Sequence, residues 1–312
     1  MNLKPSENLQ LFGMDLIFNE ITSLYNQNKM PTKILFSGKK GLGKSTLAYH
    51  IINYLLSNNE DCKYDSSKFI IDKDNRSYKL LQNNSHPNFY LIDLLHNKKN
   101  IDVAQIREMI TYANKSSFNN MSRFILIDNI ENLNKNSVNA LLKITEEPNE
   151  NMFFILIGNN EKYILPTLKS RCLTFKINFT FNQSVFVSNQ ILNQNVLDLI
   201  NYDLINFYNT PGQIINLINF SKDKSINLRN YTLADFLNLL IDNGYYKKNQ
   251  FVKNLLVNFI ELFFLKEFMF RSTKKSLLNF YQNFIWKIHN TEKFNLDEES
   301  LFLEFKSKLL NG

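Results

Sequence analysis

The glycine-rich loop at residues 38–46 constrains this chain more than any other stretch of its sequence. The loop has the sequence GKKGLGKST and matches the pattern G-x-x-x-x-G-K-[ST] in full. Residues 34–36 before it are apolar and predict a buried strand, and apolar residues recur at helical spacing from Leu47 to Leu55. Only eight glycines occur in the chain, and three of them lie in this loop. This order of strand, loop and helix predicts a phosphate-binding loop, and a ligand-free glycine turn is the alternative.

The residue types of the loop suit a bound polyphosphate. Glycine lets backbone N–H groups curl around phosphate oxygens, and the helix that follows adds the positive end of its dipole. Lys44 would reach the β- and γ-phosphates, and the Ser45 hydroxyl would bind Mg²⁺. We therefore predict a site for ATP and Mg²⁺. Its predicted contacts in the loop are Gly38, Gly41, Gly43, Lys44, Ser45 and Thr46.

A second apolar run covers residues 124–127 and ends at Asp128. A continuous run of this length is typical of a central parallel strand that is covered on both faces. The carboxylate of Asp128 occupies the position of the Walker B aspartate of P-loop NTPases, which holds Mg²⁺ opposite the P-loop. We predict Asp128 as the second protein group at the metal, and an ordinary aspartate in a strand-to-loop turn is the alternative.

The residue after Asp128 is Asn129, where ATPases of this kind usually have a glutamate that activates water. An amide can orient a water molecule but cannot take its proton. The sequence therefore predicts a nucleotide site that binds well and hydrolyses poorly.

Strands and helices alternate through residues 34–175. Further strands are predicted at 89–93 and 152–157, and Asn159 follows the latter at the sheet edge, where polar groups sense the γ-phosphate. This alternation predicts an α/β fold with a doubly wound parallel sheet.

Composition and charge bear on the partners of the protein and on its location in the cell. The net charge of +7 permits contact with nucleic acid or an acidic partner, and a solvated basic surface explains it equally well. Two lone cysteines, Cys62 and Cys172, indicate a reducing compartment. The polar N-terminus does not resemble a signal peptide, and charges interrupt the apolar stretch 251–270. These features predict a cytoplasmic protein.

Three further segments carry a family resemblance. Residues 139–148 (NALLKITEEP) resemble the N-A-L-L-K-x-L-E-E-P segment of clamp-loader AAA+ subunits. The triplet SRC at residues 170–172 resembles their S-R-C motif, and SHPN at residues 85–88 resembles the segment before their second strand. The resemblance covers roughly residues 8–175 at the level of motifs and is weak beyond them.

The resemblance implies three domains. These are an AAA+ nucleotide-binding domain at 1–175, a small helical lid at 176–228 and an all-α C-terminal collar at 229–312 that assembles the pentamer. Active relatives place a sensor-2 arginine at the start of a lid helix, whereas this chain has Gln213 there. The missing arginine is a second reason to expect poor hydrolysis.

Arg171 acquires a meaning from this resemblance. An isolated arginine is typical of a solvated surface, but within the S-R-C motif it resembles an arginine finger that acts in trans on the ATP of a neighbouring subunit. A planar, permanently charged guanidinium can stabilise charge on a transferring phosphoryl group.

The family also implies the partners. They would be gamma/tau and delta subunits in a hetero-pentamer, the sliding clamp, and primed DNA through the complex. An active gamma/tau-type ATPase subunit is the alternative that the intact P-loop favours. A recombination or repair motor is a third alternative, which the paired motifs at 139–148 and 170–172 argue against.

Many relatives hold a structural zinc ion with four cysteines between the P-loop helix and the His-Pro segment. This chain has only Cys62 in that region, so we expect no zinc.

Overall fold

The structure is a computed structural model of the chain. It describes residues 4–95, 98–115, 121–146, 151–206, 208–247, 249–270, 274–294 and 297–310. Glu147 and Pro148, which end the motif at 139–148, lie outside the described residues.

The chain divides into two compact units. The first contains Met1–Ile191 together with Thr210–Gln213, and the second contains Leu192–Asn209 and Ile214–Gly312. The division into three domains that the family resemblance implies stays a prediction.

A five-stranded sheet forms the centre of the first unit. All neighbouring strands pair in parallel, in the order β2-β3-β4-β1-β5. The strands are β1 (Lys33–Gly38), β2 (Phe89–Ile92), β3 (Arg123–Ile127), β4 (Met152–Asn159) and β5 (Leu173–Lys176). The predicted parallel α/β sheet is confirmed. The sequence did not predict β5, because this four-residue edge strand has no fully buried side chain.

The sheet is covered on both faces, which explains its continuous apolar runs. In β1, Ile34 and Phe36 pack into one core, whereas Leu35 packs into the other. In β3, Phe124 and Ile125 likewise point to opposite cores. Alternate side chains of a strand face opposite sides, so a strand covered on both sides needs apolar residues throughout.

Helices pack on the two faces of this sheet. Residues of α1 and α2 contribute to the core that contains Ile34, and residues of α4 and α5 contribute to the core that contains Leu35. The helices of the first unit are α1 (Asp15–Asn26), α2 (Lys44–Leu56), α3 (Arg76–Gln82), α4 (Val103–Ala113), α5 (Lys135–Glu146), α6 (Pro166–Lys169) and α7 (Phe181–Leu192).

The described residues of the second unit form helices and the loops between them, without a strand. Helix α8 (Pro211–Asp223) begins in the first unit and continues in the second. The remaining helices are α9 (Leu233–Asp242), α10 (Gln250–Phe270), α11 (Lys274–Phe294) and α12 (Glu299–Phe305), and a π-helical turn follows at Lys306–Leu310. The predicted helical C-terminal part is confirmed. Its buried core includes Phe236, Leu240, Leu255, Phe259, Phe263, Leu301 and Phe305. Among the described helices, none combines the length and the low charge that a bilayer span requires.

A buried histidine connects α2 with the N-terminal segment. His50 is fully buried, its Nδ1 lies 2.9 Å from the Tyr64 hydroxyl, and its Nε2 lies 3.1 Å from the Asn8 carbonyl oxygen. A carbonyl oxygen can only accept, so we assign the proton to Nε2. Burial lowers the pKa of His50 to about 4, and the hydrogen bond to Asn8 opposes this shift.

This histidine should make folding stability depend on pH. The folded-state pKa lies below the ordinary histidine value of 6.5, so the contribution of neutral His50 to stability is complete above pH 6.5 and is lost as pH falls towards 4. The expected loss is about 3 kcal/mol over that range. Chemical denaturation at several pH values gives the free energy of unfolding as a function of pH. Its slope between pH 4 and 6.5 should be shallower for His50→Gln than for the wild type. Equal slopes would contradict the assignment.

Candidate nucleotide site

The P-loop connects the end of β1 at Gly38 to the start of α2 at Lys44. Gly41 and Gly43 have φ angles of 89° and 85°, in the left-handed region that favours glycine. Lys44 is 7% exposed, and its ammonium donates to the carbonyl oxygens of Gly38 at 2.8 Å and Lys39 at 2.6 Å. The predicted loop residues therefore form one turn with Lys44 folded along it.

The charge of Lys44 is balanced by acidic groups. Burial lowers the pKa of its ammonium, and the negative charges of Asp128, Glu131 and Glu161 oppose that shift. Three carboxylates thus act on the P-loop lysine. The ammonium of a lysine at this position of the loop is the group that would bind a phosphate oxygen.

Ser45 and Asp128 meet at the edge of the sheet. The Ser45 hydroxyl donates to Asp128 Oδ2 at 2.5 Å, and the Asn129 backbone N–H donates to Asp128 Oδ1 at 2.7 Å. Burial raises the pKa of Asp128 to about 6, and the charge of Asp93 adds to this rise, while both hydrogen bonds oppose it.

This oxygen pair fits a magnesium ion. A hydroxyl and a carboxylate are hard oxygen ligands of the kind that Mg²⁺ uses beside nucleotide phosphates. A cation next to the half-buried Asp128 carboxylate would also compensate its negative charge. Ser45 and Asp128 are therefore the residues that would hold Mg²⁺, where the ion would neutralise charge on the phosphates.

Thr46 and Asn159 occupy different parts of this region. Thr46 Oγ1 accepts from Asn8 Nδ2 at 3.2 Å, which ties the start of α2 to the N-terminal segment. Asn159 is the register partner of Gly38, so it lies beside the beginning of the P-loop. Its backbone N–H donates to Glu131 Oε2 at 3.1 Å. The sequence interpretation missed Glu131, which belongs to no motif.

The Asn129 side chain is engaged with the neighbouring strand. Asn129 has a left-handed backbone conformation with φ 55°, and its Nδ2 donates to Asp93 Oδ1 at 2.7 Å. Asp93 directly follows β2. The sequence interpretation used Asp93 only as the end of a strand, because no motif marks it as a site residue.

Residues 210–213 pack directly on the P-loop. Thr210 Oγ1 donates to the Lys40 carbonyl oxygen at 3.0 Å, and the Gly212 N–H donates to the Gly41 carbonyl oxygen at 2.9 Å. A Cβ atom on Gly212 would lie 2.8 Å from Gly41 Cα, so the two backbones are in close contact. Gln213 Oε1 accepts from the Thr210 N–H at 2.9 Å and so caps the start of α8.

Arg171 lies near the amino-terminal end of the strands, whereas the P-loop lies at their carboxyl end. It precedes β5, whose first residue Leu173 pairs with Ile34, whereas the P-loop follows β1 at Gly38. The four residue steps from Ile34 to Gly38 correspond to about 13 Å of strand. Arg171 is exposed, and its guanidinium donates to the Thr167 carbonyl oxygen at 3.0 Å. The structure therefore does not bring Arg171 to the nucleotide site of its own chain.

The contact between residues 210–213 and the P-loop predicts that position 41 does not tolerate a side chain. A Cβ atom at this position would collide with Thr210 Oγ1, in addition to the strain of a positive φ. Gly43 is a matched control, because it has a similar φ but its Cβ would lie 3.5 Å from Met14. Gly41→Ala should lower the free energy of unfolding by about 2 kcal/mol more than Gly43→Ala.

Chemical denaturation without nucleotide measures this difference. Thr210→Ala removes the colliding oxygen, so the double variant Gly41→Ala/Thr210→Ala should be more stable than the sum of the single effects. Strict additivity, or equal effects at Gly41 and Gly43, would contradict the contact.

Comparison with known proteins gives the family. The family model described as "DNA polymerase III, delta subunit" matches residues 14–180, more than half of the chain. The DNA polymerase III subunit delta' of Buchnera aphidicola subsp. Schizaphis graminum is 33% identical over 163 residues, 51% of this chain and 47% of that protein. The subunit gamma of the same organism is 28% identical over 184 residues, 59% of this chain and 48% of that protein.

The chain thus spans about half the length of these curated relatives. Among solved structures, the RuvB Holliday junction branch migration motor of Thermotoga maritima has a TM-score of 0.43 at 14% identity, with 86% of this chain and 80% of that chain covered. The predicted resemblance to clamp-loader subunits is confirmed, and the relatives include subunits of the delta' type. The chain belongs to the DNA polymerase III delta-subunit family.

Proposed function

We propose that this chain is a clamp-loader subunit of the delta' type that binds ATP–Mg²⁺ and helps to load the sliding clamp on primed DNA during replication. The observation that carries the proposed nucleotide binding is the 2.5 Å hydrogen bond between Ser45 and Asp128. It lies beside a P-loop whose Lys44 folds along the loop and donates to Gly38. These groups come from two elements that are distant in sequence, and an ordinary glycine turn does not require them to meet.

Poor hydrolysis belongs to the same proposal. Asn129 offers an amide where a carboxylate would be needed to activate water, and that amide already donates to Asp93. Gln213 carries no charge, and its side chain caps α8. The site therefore has groups for binding but lacks two that support catalysis in active relatives.

The partners follow from the family. We propose assembly with gamma/tau and delta subunits in a hetero-pentamer in the cytoplasm, with the sliding clamp and primed DNA as further partners. In this proposal residues 1–175 bind nucleotide, 176–228 form the lid and 229–312 form the collar that holds the pentamer.

Arg171 would act on a neighbouring subunit. Its position beyond the amino-terminal end of β5 supports this role, because a guanidinium at that edge would have to cross the sheet to reach its own P-loop. An arginine presented outward can instead stabilise the charge that develops on the γ-phosphate of the next subunit.

An active gamma/tau-type ATPase is the second candidate. The complete P-loop and the Ser45–Asp128 pair favour it, since both are what an active site of this class uses. The rate of ATP hydrolysis separates the two candidates.

The first test of the proposal is nucleotide binding. The purified chain should bind ATP in the presence of Mg²⁺, and Lys44→Ala should weaken binding strongly because it removes the cation that faces the phosphates. Titration calorimetry measures both. The same wild-type sample should hydrolyse ATP at or near the background rate. A robust rate that Lys44→Ala abolishes would favour the gamma/tau-type candidate, and no binding by the wild type would refute the nucleotide site.

A second test concerns Arg171. In complexes reconstituted with the other clamp-loader subunits, Arg171→Ala should reduce ATPase activity and clamp loading by tens-fold or more. The ATP affinity of this chain and the assembly of the complex should stay unchanged, because the arginine lies far from its own P-loop.

Arg171→Lys is the matched control. It keeps the charge but loses the planar fork, so it should restore activity only in part. If complexes that carry Arg171→Ala hydrolyse ATP and load clamps at the wild-type rates, the proposed finger role is wrong and Arg171 is a structural residue.

A further inference from the structure

We propose that Asp93 is a second carboxylate of the magnesium–nucleotide site, which acts on the metal through a metal-bound water and is held in place by Asn129. The inference rests on the proposed binding of ATP–Mg²⁺. It adds a residue that follows β2 to a metal site that motifs assign only to the P-loop and to the residue after β3.

Strand register brings Asp93 to the site. Ile92 of β2 pairs with Ile127 of β3, and the Asp128 N–H donates to the Ile92 carbonyl oxygen at 2.9 Å. Asp93 and Asp128 are the next residues of the two strands, so both carboxylates leave the sheet at the same edge. Asp128 meets Ser45 there.

Two hydrogen bonds fix the Asp93 carboxylate. Its Oδ1 accepts from the Leu94 N–H at 2.6 Å and from Asn129 Nδ2 at 2.7 Å. Both donors use the same oxygen, so Oδ2 of this half-buried carboxylate can accept a hydrogen bond from a metal-bound water. A carboxylate that is held on one oxygen is well suited to orient a ligand of the metal.

The charge of Asp93 already reaches the metal-binding groups. It adds to the rise in the pKa of Asp128. It also acts, together with Asp128, on the pKa of the Tyr49 hydroxyl, which burial raises above its usual range. Tyr49 lies on α2, one helical turn beyond Ser45. Asp93, Asp128 and α2 therefore surround one region.

The competing explanation is a purely structural pair. In that case Asp93 only accepts the hydrogen bonds of Leu94 and Asn129, and its charge has no role. An asparagine at position 93 separates the two explanations, because its side-chain oxygen can still accept both bonds while the negative charge is lost.

The two explanations differ in the effect of Mg²⁺. Without the metal, the Asp93 charge repels the triphosphate, so Asp93→Asn should raise ATP affinity a few-fold. With Mg²⁺, the carboxylate supports the metal, so the same variant should lower ATP affinity by about tenfold. The ratio of affinities in Mg²⁺ and in EDTA should therefore fall by tenfold or more.

The experiment is titration calorimetry of the full chain with ATP, in MgCl₂ and in EDTA, together with thermal melting of each variant. Asp61→Asn is the matched control, because it makes the same charge change at an exposed residue of the first unit. The control should leave the Mg²⁺/EDTA ratio at the wild-type value.

Each other outcome is informative. If Asp93→Asn behaves like Asp61→Asn, or loses affinity equally in both conditions with a lower melting temperature, Asp93 is structural and the inference is wrong. If the wild type binds no ATP in either condition, the proposed nucleotide function fails, and the inference fails with it. The wild-type titration thus tests the function, and the variant tests Asp93.

Discussion

The parallel register of the central sheet is the constraint on which the site depends. Because β1, β2, β3 and β4 run in one direction, their carboxyl ends reach the same edge of the sheet. This alignment places Gly38, Asp93, Asp128 and Asn159 at that edge. Two apolar cores hold the register, since a slip of one residue would turn Leu35 and Phe36 to the wrong faces. Residues far from the nucleotide site therefore determine its geometry.

The P-loop is shaped by more than its own sequence. Gly41 fits the phosphate-binding motif, but it also allows the backbone of Gly212 to approach and hydrogen-bond to it. The bond from Thr210 to Lys40 joins residues 170 positions apart. These two hydrogen bonds join the P-loop to the start of α8. A movement of the loop around a ligand must therefore also move the start of α8.

The sequence was sufficient for features that local patterns encode. The P-loop and the strand that ends at Asp128 follow from motif and periodicity, and the helical C-terminal part follows from the family resemblance. It was insufficient where a residue acquires its role from a distant neighbour. Asp93 meets Asn129 across 36 positions, and Asn75, the N-terminal cap of α3, also accepts from Asn53 on α2. No local pattern contains these partners.

The charge balance of the sheet edge also explains why position 129 carries an amide. Asp128, Glu131 and Glu161 already act on Lys44, and Asp93 acts on Asp128. A glutamate or aspartate at position 129 would bring a like charge to Asp93, where the present Asn129 donates a 2.7 Å hydrogen bond. The two residues are therefore interdependent: a carboxylate after β2 requires a donor after β3. A carboxylate directly after Asp128 would replace this hydrogen bond with repulsion between two like charges.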